Sequence, residues 1–376
     1  MSQKNRIAFI FLDEIHHLYH FISVAVELSK TNSVHILTYP GNHTFLHKTL
    51  QRLGGEKVRI DKLKTQPIRA FTDNLKNRRF PRKGFWLKKN MDYIQNFDAV
   101  IVTDYIHRYI LDARKEKSKL KIIKFPHGTP GRGYWHNEKL KDFDAQLVLG
   151  DFQFQQLKEL GLLGNHPMKV GYAKLDVVNT EKNLTLFKNE KPVVLYNPHF
   201  DPIFSSWQDM GLKILDFFYN QNQFNLIFAP HLHLFDTLKG GENKTSIPKI
   251  YFKCESIFMD LGSEKSINMA YINKADIYLG DVSSQVYEFI IHPRPVIFIN
   301  SKNVDYKDDI DYRFWRCGVV VTTIEKLKNA LENAETDFKK YEAVQKKITL
   351  ENYYSETDST ASERAANAIN SFLKTK

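Results

Sequence analysis

Two histidines of this 376-residue sequence follow apolar runs, each at the point where a buried strand is predicted to end. Residues 121–125 lead into His127, and residues 224–229 lead into His231. Histidine titrates near neutrality, so a neutral imidazole on a rigid turn can accept a proton from a substrate hydroxyl. The alternative is structural, with each imidazole satisfying a backbone carbonyl of its turn. Because the two histidines end two different strands, we predict that both are functional.

A phosphate site is predicted in "DIYLGDVSSQVYEF", residues 276–289. A strand is expected to end at Asp281, and a helix is expected to begin at Ser283 and Ser284. Helix N-termini present unpaired N–H groups to anions, and serine hydroxyls there can donate to the same phosphate. Glu288, one turn into the helix, can accept hydrogen bonds from a ribose. The structural alternative makes Ser283 a helix cap and Glu288 a surface residue.

The pair His231 and His233 has the spacing of two metal ligands. We predict that their side chains point to opposite sides, so that only one of them lies in the site. No third ligand, such as a nearby Cys or Asp, is spaced to complete a metal site. We therefore expect no metal and no cofactor.

Short Val/Ile/Leu/Phe runs alternate with amphipathic segments along the chain, a pattern typical of parallel sheets covered by helices on both faces. The predicted strands are residues 6–12, 33–38, 99–103, 121–125, 146–149, 168–171, 193–197, 225–229, 276–279, 295–299 and 318–322. A polar stretch at residues 179–191 separates two successive sets of these units. The sequence predicts an α/β protein with two doubly wound domains that face a central cleft, followed by C-terminal helices.

The composition is that of a globular protein from a reducing compartment. Hydrophobic residues make up 42 % and aromatic residues 13 % of the chain, which argues against disorder. The two cysteines, Cys254 and Cys317, provide no disulfide framework. No apolar segment approaches the ~20 residues that span a bilayer, and the first apolar run leads directly into Asp13 and Glu14, unlike a signal peptide. We expect a cytoplasmic protein.

The basic excess lies in the N-terminal half. Residues 1–190 contain 32 of the 54 Lys and Arg residues but only 19 of the 43 Asp and Glu residues. The excess peaks in "KNRRFPRKGFWLKK", residues 76–89, where aromatic residues are interleaved with basic ones. Three interpretations of this segment are open: a solvated loop, a contact with an anionic membrane, or a contact with nucleic acid. Its candidate contact residues are Arg78, Arg79, Arg82, Lys83, Lys88 and Lys89.

Six short motifs occur in an order that resembles the CDP-glycerol glycerophosphotransferase family, which includes the teichoic-acid-type polymerases and primases. They are His127-Gly128-Thr129-Pro130, "VGYAKLD" (170–176), "VLYNPHF" (194–200), Pro230-His231, "INKADIYLGDVSSQVYEF" (272–289) and "RPVIFIN" (294–300). The resemblance covers roughly residues 120–320, about half of the chain. It implies a GT-B fold with an N-terminal acceptor-binding Rossmann-like domain at residues 1–185 and a donor-binding one at 186–350. Residues 351–376 are expected to form a C-terminal helix, for which packing back on the N-terminal domain is one option.

The resemblance also implies roles for individual residues. It makes His127 a candidate catalytic base and His231 a second catalytic or phosphate-stabilising histidine. The candidate donor-binding residues are Asp281, Ser283, Ser284, Glu288, Pro230, Asn197 and His199, and the candidate acceptor or phosphate residues are Gly128, Thr129, Arg132 and His17. The chain departs from the family pattern at Ala229, at His199-Phe200-Asp201 and at Gly131-Arg132-Gly133. These departures lie where the donor phosphate or the acceptor is expected to bind.

The leading hypothesis is a metal-independent, His-assisted transferase that moves glycerol phosphate, or a related polyol phosphate, from a CDP-activated donor to a hydroxyl acceptor. It would act in the synthesis of a teichoic-acid-like or other cell-surface polymer, on a lipid-linked or polymeric acceptor at the inner face of the membrane. The first alternative is a GT-B glycosyltransferase that uses a CMP-, UDP- or GDP-linked sugar. The second is a non-catalytic basic module that binds membrane or nucleic acid, although nucleic acid is not the expected partner. A nucleotide-sugar epimerase fits less well, because its usual Ser-Gly-Gly is replaced by Val282-Ser283-Ser284.

Overall fold

The chain folds into two compact α/β units. The computed structural model describes residues 4–12, 15–65, 68, 71, 83–112, 114, 119–129, 136–177, 184–237, 240–356 and 358–375. Unit 1 comprises Met1–Gly128, His136–Val177 and Glu351–Lys376, and unit 2 comprises Thr129–Trp135 and Val178–Leu350. The domain boundary predicted at residue 185 stays a prediction.

Unit 1 is built on a parallel sheet of seven strands, β1 (Arg6–Phe11), β2 (Ser33–Thr38), β3 (Arg59–Lys62), β4 (Ala99–Val102), β5 (Lys121–Lys124), β6 (Ala145–Val148) and β7 (Pro167–Lys169). Their order in the sheet is β3-β2-β1-β4-β5-β6-β7. The central strands are near-continuous apolar runs with both faces buried, as expected where helices cover a parallel sheet.

Among the described residues up to Val177, the α-helices of unit 1 are α1 (Leu18–Ser29), α2 (Thr44–Arg52), α3 (Lys83–Lys89), α4 (Met91–Ile94), α5 (Arg108–Leu111), α6 (Asp151–Glu159) and α7 (Lys174–Val177). A 3₁₀ turn at Ile15–His17 precedes α1, and another forms at Glu138–Asp142. Almost every side chain of α1 is buried, which is typical of a helix enclosed on all sides.

Unit 2 has a six-stranded parallel sheet formed by β8 (Val193–Asn197), β9 (Asn225–Phe228), β10 (Ile257–Met259), β11 (Ile277–Gly280), β12 (Val296–Ile299) and β13 (Val319–Val321). The order is β10-β9-β8-β11-β12-β13. Its α-helices are α8 (Leu212–Asn220), α9 (Ala270–Lys274), α10 (Gln285–Phe289), α11 (Ile324–Glu332) and α12 (Ala334–Asn352), the last of which ends in unit 1. A π-helical turn at Trp207–Gly211 leads into α8, and 3₁₀ turns form at Lys244–Ser246, Tyr251–Lys253, Glu264–Ser266 and Ile310–Cys317.

The last helix of the chain, α13 (Ala361–Lys374), packs against α1 inside unit 1. Ser362 Oγ lies 2.7 Å from Ser23 Oγ and donates to Asp176 Oδ2 at 2.6 Å. Farther along, Asn32 Nδ2 donates to Asn370 Oδ1 at 2.8 Å. A capping box between Thr360 and Glu363 defines where the helix begins.

The predicted strands agree with the structure to within two residues at each end, and the prediction of two parallel sheets is confirmed. Two strands, β3 and β10, were not predicted. Both lie at a sheet edge, where one side of the strand is unpaired and a polar sequence such as Arg59-Ile60-Asp61-Lys62 is tolerated. Among the described residues, no helix combines the length and the apolar character needed to cross a membrane.

Candidate active site

Each sheet reverses its strand order at one point, between β1 and β4 in unit 1 and between β8 and β11 in unit 2. Ligands of open α/β sheets bind beyond the carboxyl ends of the strands at such a reversal. In unit 1, His17 follows β1 and His127 follows β5, which is paired with β4. In unit 2, His199 follows β8 and Ser283 follows β11. The topology therefore places the predicted residues of each unit at its expected ligand-binding edge.

A hydrogen bond fixes the tautomer of His127. Its Nδ1 lies 2.6 Å from the backbone carbonyl oxygen of Thr103, the residue that follows β4. Because a carbonyl can only accept, Nδ1 carries the hydrogen and the lone pair resides on Nε2. The imidazole is thus held in the form in which Nε2 can accept a proton from a hydroxyl.

Two further histidines surround His127. The ring of His17 stacks on it with the ring centroids 4.3 Å apart, and His17 Nδ1 lies 3.3 Å from Thr103 Oγ1. The backbone N–H of Gly128 donates to Nδ1 of His20 at 3.4 Å. Gly128 has φ = +78°, a conformation that favours glycine, so it permits the turn that brings this N–H to His20.

Two of these histidines, His127 and His20, are neutral at physiological pH. Burial, followed by the neighbouring His17 and Lys124, holds the pKa of His127 well below its usual value. Burial, together with Lys174, His127 and His17, lowers the pKa of His20 in the same way. The protein keeps these imidazoles as proton acceptors.

A buried lysine, Lys124, lies next to His127. It is 1 % exposed, and its Nζ donates to the carbonyl of Thr103 at 2.5 Å and to that of Phe125 at 3.1 Å. The Thr103 carbonyl therefore accepts from both Lys124 and His127. Burial lowers the pKa of Lys124 to about 7. Burial alone would raise the pKa of Asp104, but the adjacent Lys83 ammonium, 3.0 Å away, brings it to about 2.

In unit 2, Asp281 ties the end of β11 to the loop after β8. Its Oδ1 accepts from the backbone N–H groups of His199 at 2.8 Å and Val282 at 2.7 Å. Its Oδ2 accepts from the backbone N–H of Ser206 at 2.6 Å and from the Ser206 hydroxyl at 2.8 Å. Burial raises the pKa of Asp281 to about 6, although these hydrogen bonds act to lower it.

Asn197 makes the corresponding link between β8 and β9. Its Nδ2 donates to the carbonyl of Ala229 at 2.7 Å, and its Oδ1 accepts from the Tyr278 hydroxyl at 3.2 Å. Asp281 and Asn197 are both 1 % exposed. Their observed contacts position the three strand ends that carry His199, His231 and Ser283.

Three histidines and a phenylalanine cluster at this edge. His231 lies with its ring centroid 5.4 Å from that of His199, 5.0 Å from that of His233 and 4.5 Å from that of Phe200. The expectation that His231 and His233 point to opposite sides was wrong, because residues two apart on an extended chain share one face, and the two rings lie next to each other. Nδ1 of His199 accepts from the backbone N–H of Asp201 at 3.0 Å, which leaves the hydrogen of that ring on Nε2.

The predicted phosphate segment begins a short helix. Ser283 is buried and Ser284 is partly exposed at the start of α10, which has only five residues and ends four residues before Pro293. A helix this short has a small dipole, so the serine hydroxyls and loop N–H groups would provide most of any phosphate binding. Glu288 is buried, whereas the structural alternative expected it on the surface.

Several predicted residues lie outside the described part of the chain, namely Arg78, Arg79, Arg82 and Arg132. Lys83, Lys88 and Lys89 lie on α3, and Thr129 is buried after Gly128. His20 and Lys124 were not predicted. The spacing of His17 and His20 places both on one helical face, and Lys124 is a charged residue inside an otherwise apolar strand, so both signals were present in the sequence.

No group of three His, Cys, Asp or Glu residues within the described ranges is arranged to hold a metal ion.

Similarity to known proteins is found at the level of family and fold. The family model of the CDP-Glycerol:Poly(glycerophosphate) glycerophosphotransferases matches residues 166–371. No curated protein sequence matches the chain closely enough to be reported as a relative.

Solved structures share the fold at low sequence identity. The wall teichoic acid polymerase TagF superposes with a TM-score of 0.63 at 13 % identity, covering 98 % of this chain and 89 % of TagF. The S. aureus MnaA–UDP structure gives 0.65 at 11 % identity, covering 98 % of this chain and 97 % of MnaA. The UDP-GlcNAc 2-epimerase from Neisseria meningitidis gives 0.60 at 14 % identity and covers both chains completely.

The two parallel sheets have the GT-B architecture expected from the sequence. The family match covers more than half of the chain and includes the Asp281–Glu288 segment, His199 and His231. The chain therefore belongs to the CDP-glycerol:poly(glycerophosphate) glycerophosphotransferase family, and it is an enzyme of the glycerophosphotransferase class.

Proposed function

We propose that the enzyme transfers glycerol phosphate, or a related polyol phosphate, from a CDP-linked donor to an acceptor hydroxyl, with His127 as the general base. The acceptor oxygen attacks the phosphorus that carries the polyol, the bond from that phosphorus to the CMP oxygen breaks, and CMP leaves. The acceptor proton goes to Nε2 of His127. No redox step or additional co-reactant is needed.

The observation that carries this proposal is the fixed, neutral imidazole of His127. Its Nδ1–H is donated to the Thr103 carbonyl, and the low pKa keeps Nε2 unprotonated at neutral pH. Phosphoryl transfer requires mainly positioning and charge stabilisation, and a positioned base supplies the remaining proton transfer.

Unit 2 is proposed to bind the donor. Ser283 and Ser284 would donate to its diphosphate, Glu288 would accept from the ribose, and His231 would stabilise the transferred phosphate. Two of the similar structures support a nucleotide donor, since a TagF variant was solved after a soak with CDPG and MnaA was solved with UDP. Unit 1, which carries His127 and most of the basic excess, is proposed to bind the acceptor.

The test of the proposed function is a panel of CDP-, UDP-, GDP- and CMP-linked donors, including CDP-glycerol. We expect CDP-glycerol to release CMP in the presence of an acceptor and to raise the melting temperature. Ligand at a hundred times its Kd adds about 2.7 kcal/mol to stability, which is easily measured. Release of nucleotide only from a sugar-linked donor would replace the proposal with the glycosyltransferase alternative.

Removing the serine hydroxyls should weaken donor binding. Because a hydrogen bond to a charged acceptor contributes about 1.5–3 kcal/mol, Ser283→Ala and Ser284→Ala should each raise the Kd of CDP about 10-fold or more. Isothermal titration calorimetry measures this directly. Ser246→Ala is the matched control, because this serine of unit 2 is exposed and its hydroxyl donates to the carbonyl of Asn243. An unchanged Kd in both variants would remove Ser283 and Ser284 from the donor site.

The basic segment at residues 76–89 is proposed to contact an anionic membrane surface that carries the acceptor. Each basic residue near such a surface contributes about 1 kcal/mol, so replacing Arg78, Arg79, Arg82 and Lys83 with Ser should strongly reduce binding to anionic liposomes. Sedimentation with liposomes that contain phosphatidylglycerol measures this binding.

Four exposed lysines of unit 2, Lys244, Lys249, Lys253 and Lys265, provide a control that removes the same net charge when they are replaced with Ser. Their replacement should leave liposome binding largely intact. A wild-type protein that shows no preference for anionic over neutral liposomes would contradict the membrane proposal. Binding to duplex DNA that weakens steeply with salt would instead favour nucleic acid as the partner.

A further inference from the structure

An open cavity of about 510 Å³ lies between α3 and α5 of unit 1. Its walls come from α3, from the loop after β4 and from the first turn of α5. The side chains that matter are Lys83, Phe85, Lys88, Tyr105, Arg108 and Tyr109, and we call this site the basic-aromatic pocket. Its volume is within the range of pockets that bind small ligands.

Tyr109 orders one wall of the basic-aromatic pocket. The Arg108 guanidinium lies 4.9 Å from the centroid of the Tyr109 ring and donates to its hydroxyl at 3.1 Å. Lys88 Nζ lies 5.7 Å from the same centroid. The ring can lie this close to α3 only because residue 84 is glycine, since a Cβ there would be 2.4 Å from the ring. Two cations are therefore arranged around one aromatic ring.

The charge of the pocket favours an anion. Lys83, Lys88 and Arg108 line it, and no acidic residue is among its described lining residues. Asp104, beside the cavity, forms an ion pair with Lys83, and its Oδ2 lies 3.0 Å from Lys83 Nζ. Gathering like charges is unfavourable, and a bound phosphate would relieve this repulsion while accepting hydrogen bonds from both kinds of cation.

The pocket is also close to the proposed base. Tyr105 lines it and is two residues from Thr103, whose carbonyl accepts from His127, and residues that close in sequence are at most about 7 Å apart. Lys124 Nζ lies 5.0 Å from the centroid of the Tyr105 ring, so Tyr105 contacts both the pocket and the buried lysine that shares the Thr103 carbonyl with His127.

We propose that the basic-aromatic pocket binds a phosphate group of the acceptor and so presents the neighbouring polyol hydroxyl to His127. This inference rests on the proposed function for the identity of the ligand. The shared chemistry is a phosphate ester next to a hydroxyl, and its source is either the phosphodiester of a growing polymer or the diphosphate of a lipid carrier. The aromatic wall packs against the polyol carbons while the cations bind the phosphate.

The test measures binding directly, with three variants of the full chain. The double variant Lys88→Ala with Arg108→Ala removes two exposed cations of the pocket. The matched control, Lys48→Ala with Arg52→Ala, removes the same charge from the exposed surface of α2. Gly84→Ala changes no charge but displaces the Tyr109 ring.

The probes are a synthetic trimer of glycerol phosphate and a short-chain prenyl diphosphate in detergent micelles, each titrated by calorimetry. For at least one probe we expect the double variant to raise the Kd about 10-fold or more, as for the loss of charge-assisted hydrogen bonds. Gly84→Ala should also raise the Kd of that probe. In the α2 control, the Kd of the same probe should change less than three-fold. The probe that responds identifies the phosphate source.

Equal Kd values for wild type and double variant with both probes would overturn the proposal. An equal loss in the α2 control would also overturn it, because the effect would then be general surface charge. The Kd of CDP serves as the internal reference and should not change. If no donor in the panel is consumed but the double variant still loses trimer binding, the pocket stands and the proposed reaction fails. If transfer occurs and the double variant binds both probes normally, the reaction stands and the pocket fails.

Discussion

His127→Asn should lower turnover about 10²–10⁴-fold, the usual contribution of a positioned general base. The amide nitrogen of asparagine can occupy the place of Nδ1 and donate to the Thr103 carbonyl, so the turn keeps its hydrogen bond. Nothing then remains at the position of Nε2 to take the acceptor proton. Turnover with CDP-glycerol, normalised to folded protein, measures the loss, and the Kd of CDP should hardly change.

The matched control is His35→Asn. His35 is also a buried histidine of unit 1, with Nδ1 2.6 Å from Asp61 Oδ2 and Nε2 3.0 Å from the Ser33 hydroxyl, but it is not at the carboxyl end of its strand. That variant should lose stability and keep its turnover per folded molecule. Full activity of a folded His127→Asn protein would contradict the mechanism.

The pH profile of the wild type belongs to the same prediction. A base acts only when neutral, so turnover falls as the pH drops through its pKa. Because burial and the neighbouring His17 and Lys124 hold the pKa of His127 well below its usual value, this acid limb should lie below the range of an ordinary histidine. An acid limb near pH 7 would point to another base.

Asp281→Ala should be strongly destabilising. The change leaves the buried N–H groups of His199, Ser206 and Val282, and the Ser206 hydroxyl, without the carboxyl oxygens that accept from them. At about 1–3 kcal/mol per unsatisfied group, with partial relaxation, we expect a loss of roughly 3–6 kcal/mol at pH 4. Urea denaturation followed by tryptophan fluorescence measures it. Binding of CDP should fall as well, since this carboxylate positions two strand ends of unit 2.

The loss in the free energy of unfolding caused by Asp281→Ala should be smaller at pH 7 than at pH 4. The pKa of Asp281 is raised to about 6 in the folded chain, above the ordinary value of 3.8, so the native state binds more protons between these values. Stability contributed by this group is therefore fully present below about pH 4 and decreases by up to about 3 kcal/mol as the pH rises through 6. The difference between wild type and variant, measured at each pH, cancels the other titrating groups.

Asp276→Ala is the control for this prediction. Asp276 stands at the opposite end of β11, and its Oδ2 accepts a single hydrogen bond, from the backbone N–H of Val193 at 2.7 Å. Its removal should cost about 1 kcal/mol and leave CDP binding unchanged. Comparable losses in the two variants would contradict the role assigned to Asp281.

The elements that carry the site were predictable because the physical signal is local. A buried parallel strand such as β8 is an uninterrupted apolar run, and its end is marked by the first polar residue. The two missed strands, β3 and β10, are edge strands whose short or polar sequences carry no such signal. For β3, only its pairing with β2 defines it as a strand.

The direction in which a polar side chain points could not be predicted from its position alone. The assignment of Asp281 and Asn197 to the donor site stays a prediction, and the structure adds that their side chains hydrogen-bond to neighbouring backbone and side-chain groups. Whether a polar side chain at a strand end faces a ligand or hydrogen-bonds to the protein itself depends on segments that are distant in sequence. The same applies to Lys124, whose burial is explained only by the carbonyls of Thr103 and Phe125.

The contact of α13 with α1 has a consequence for biosynthesis. Ser362 and Ser23 are separated by 339 positions in the chain, so α1 meets its partner only after the chain has been synthesised through α13. Until then, part of the surface of α1 that is buried in the finished protein is exposed, and a chaperone can bind it. Such a long-range closure slows folding, because the intervening chain must lose much of its conformational freedom before the contact forms. Premature termination before residue 361 would therefore leave the histidine-bearing unit without the helix that covers α1.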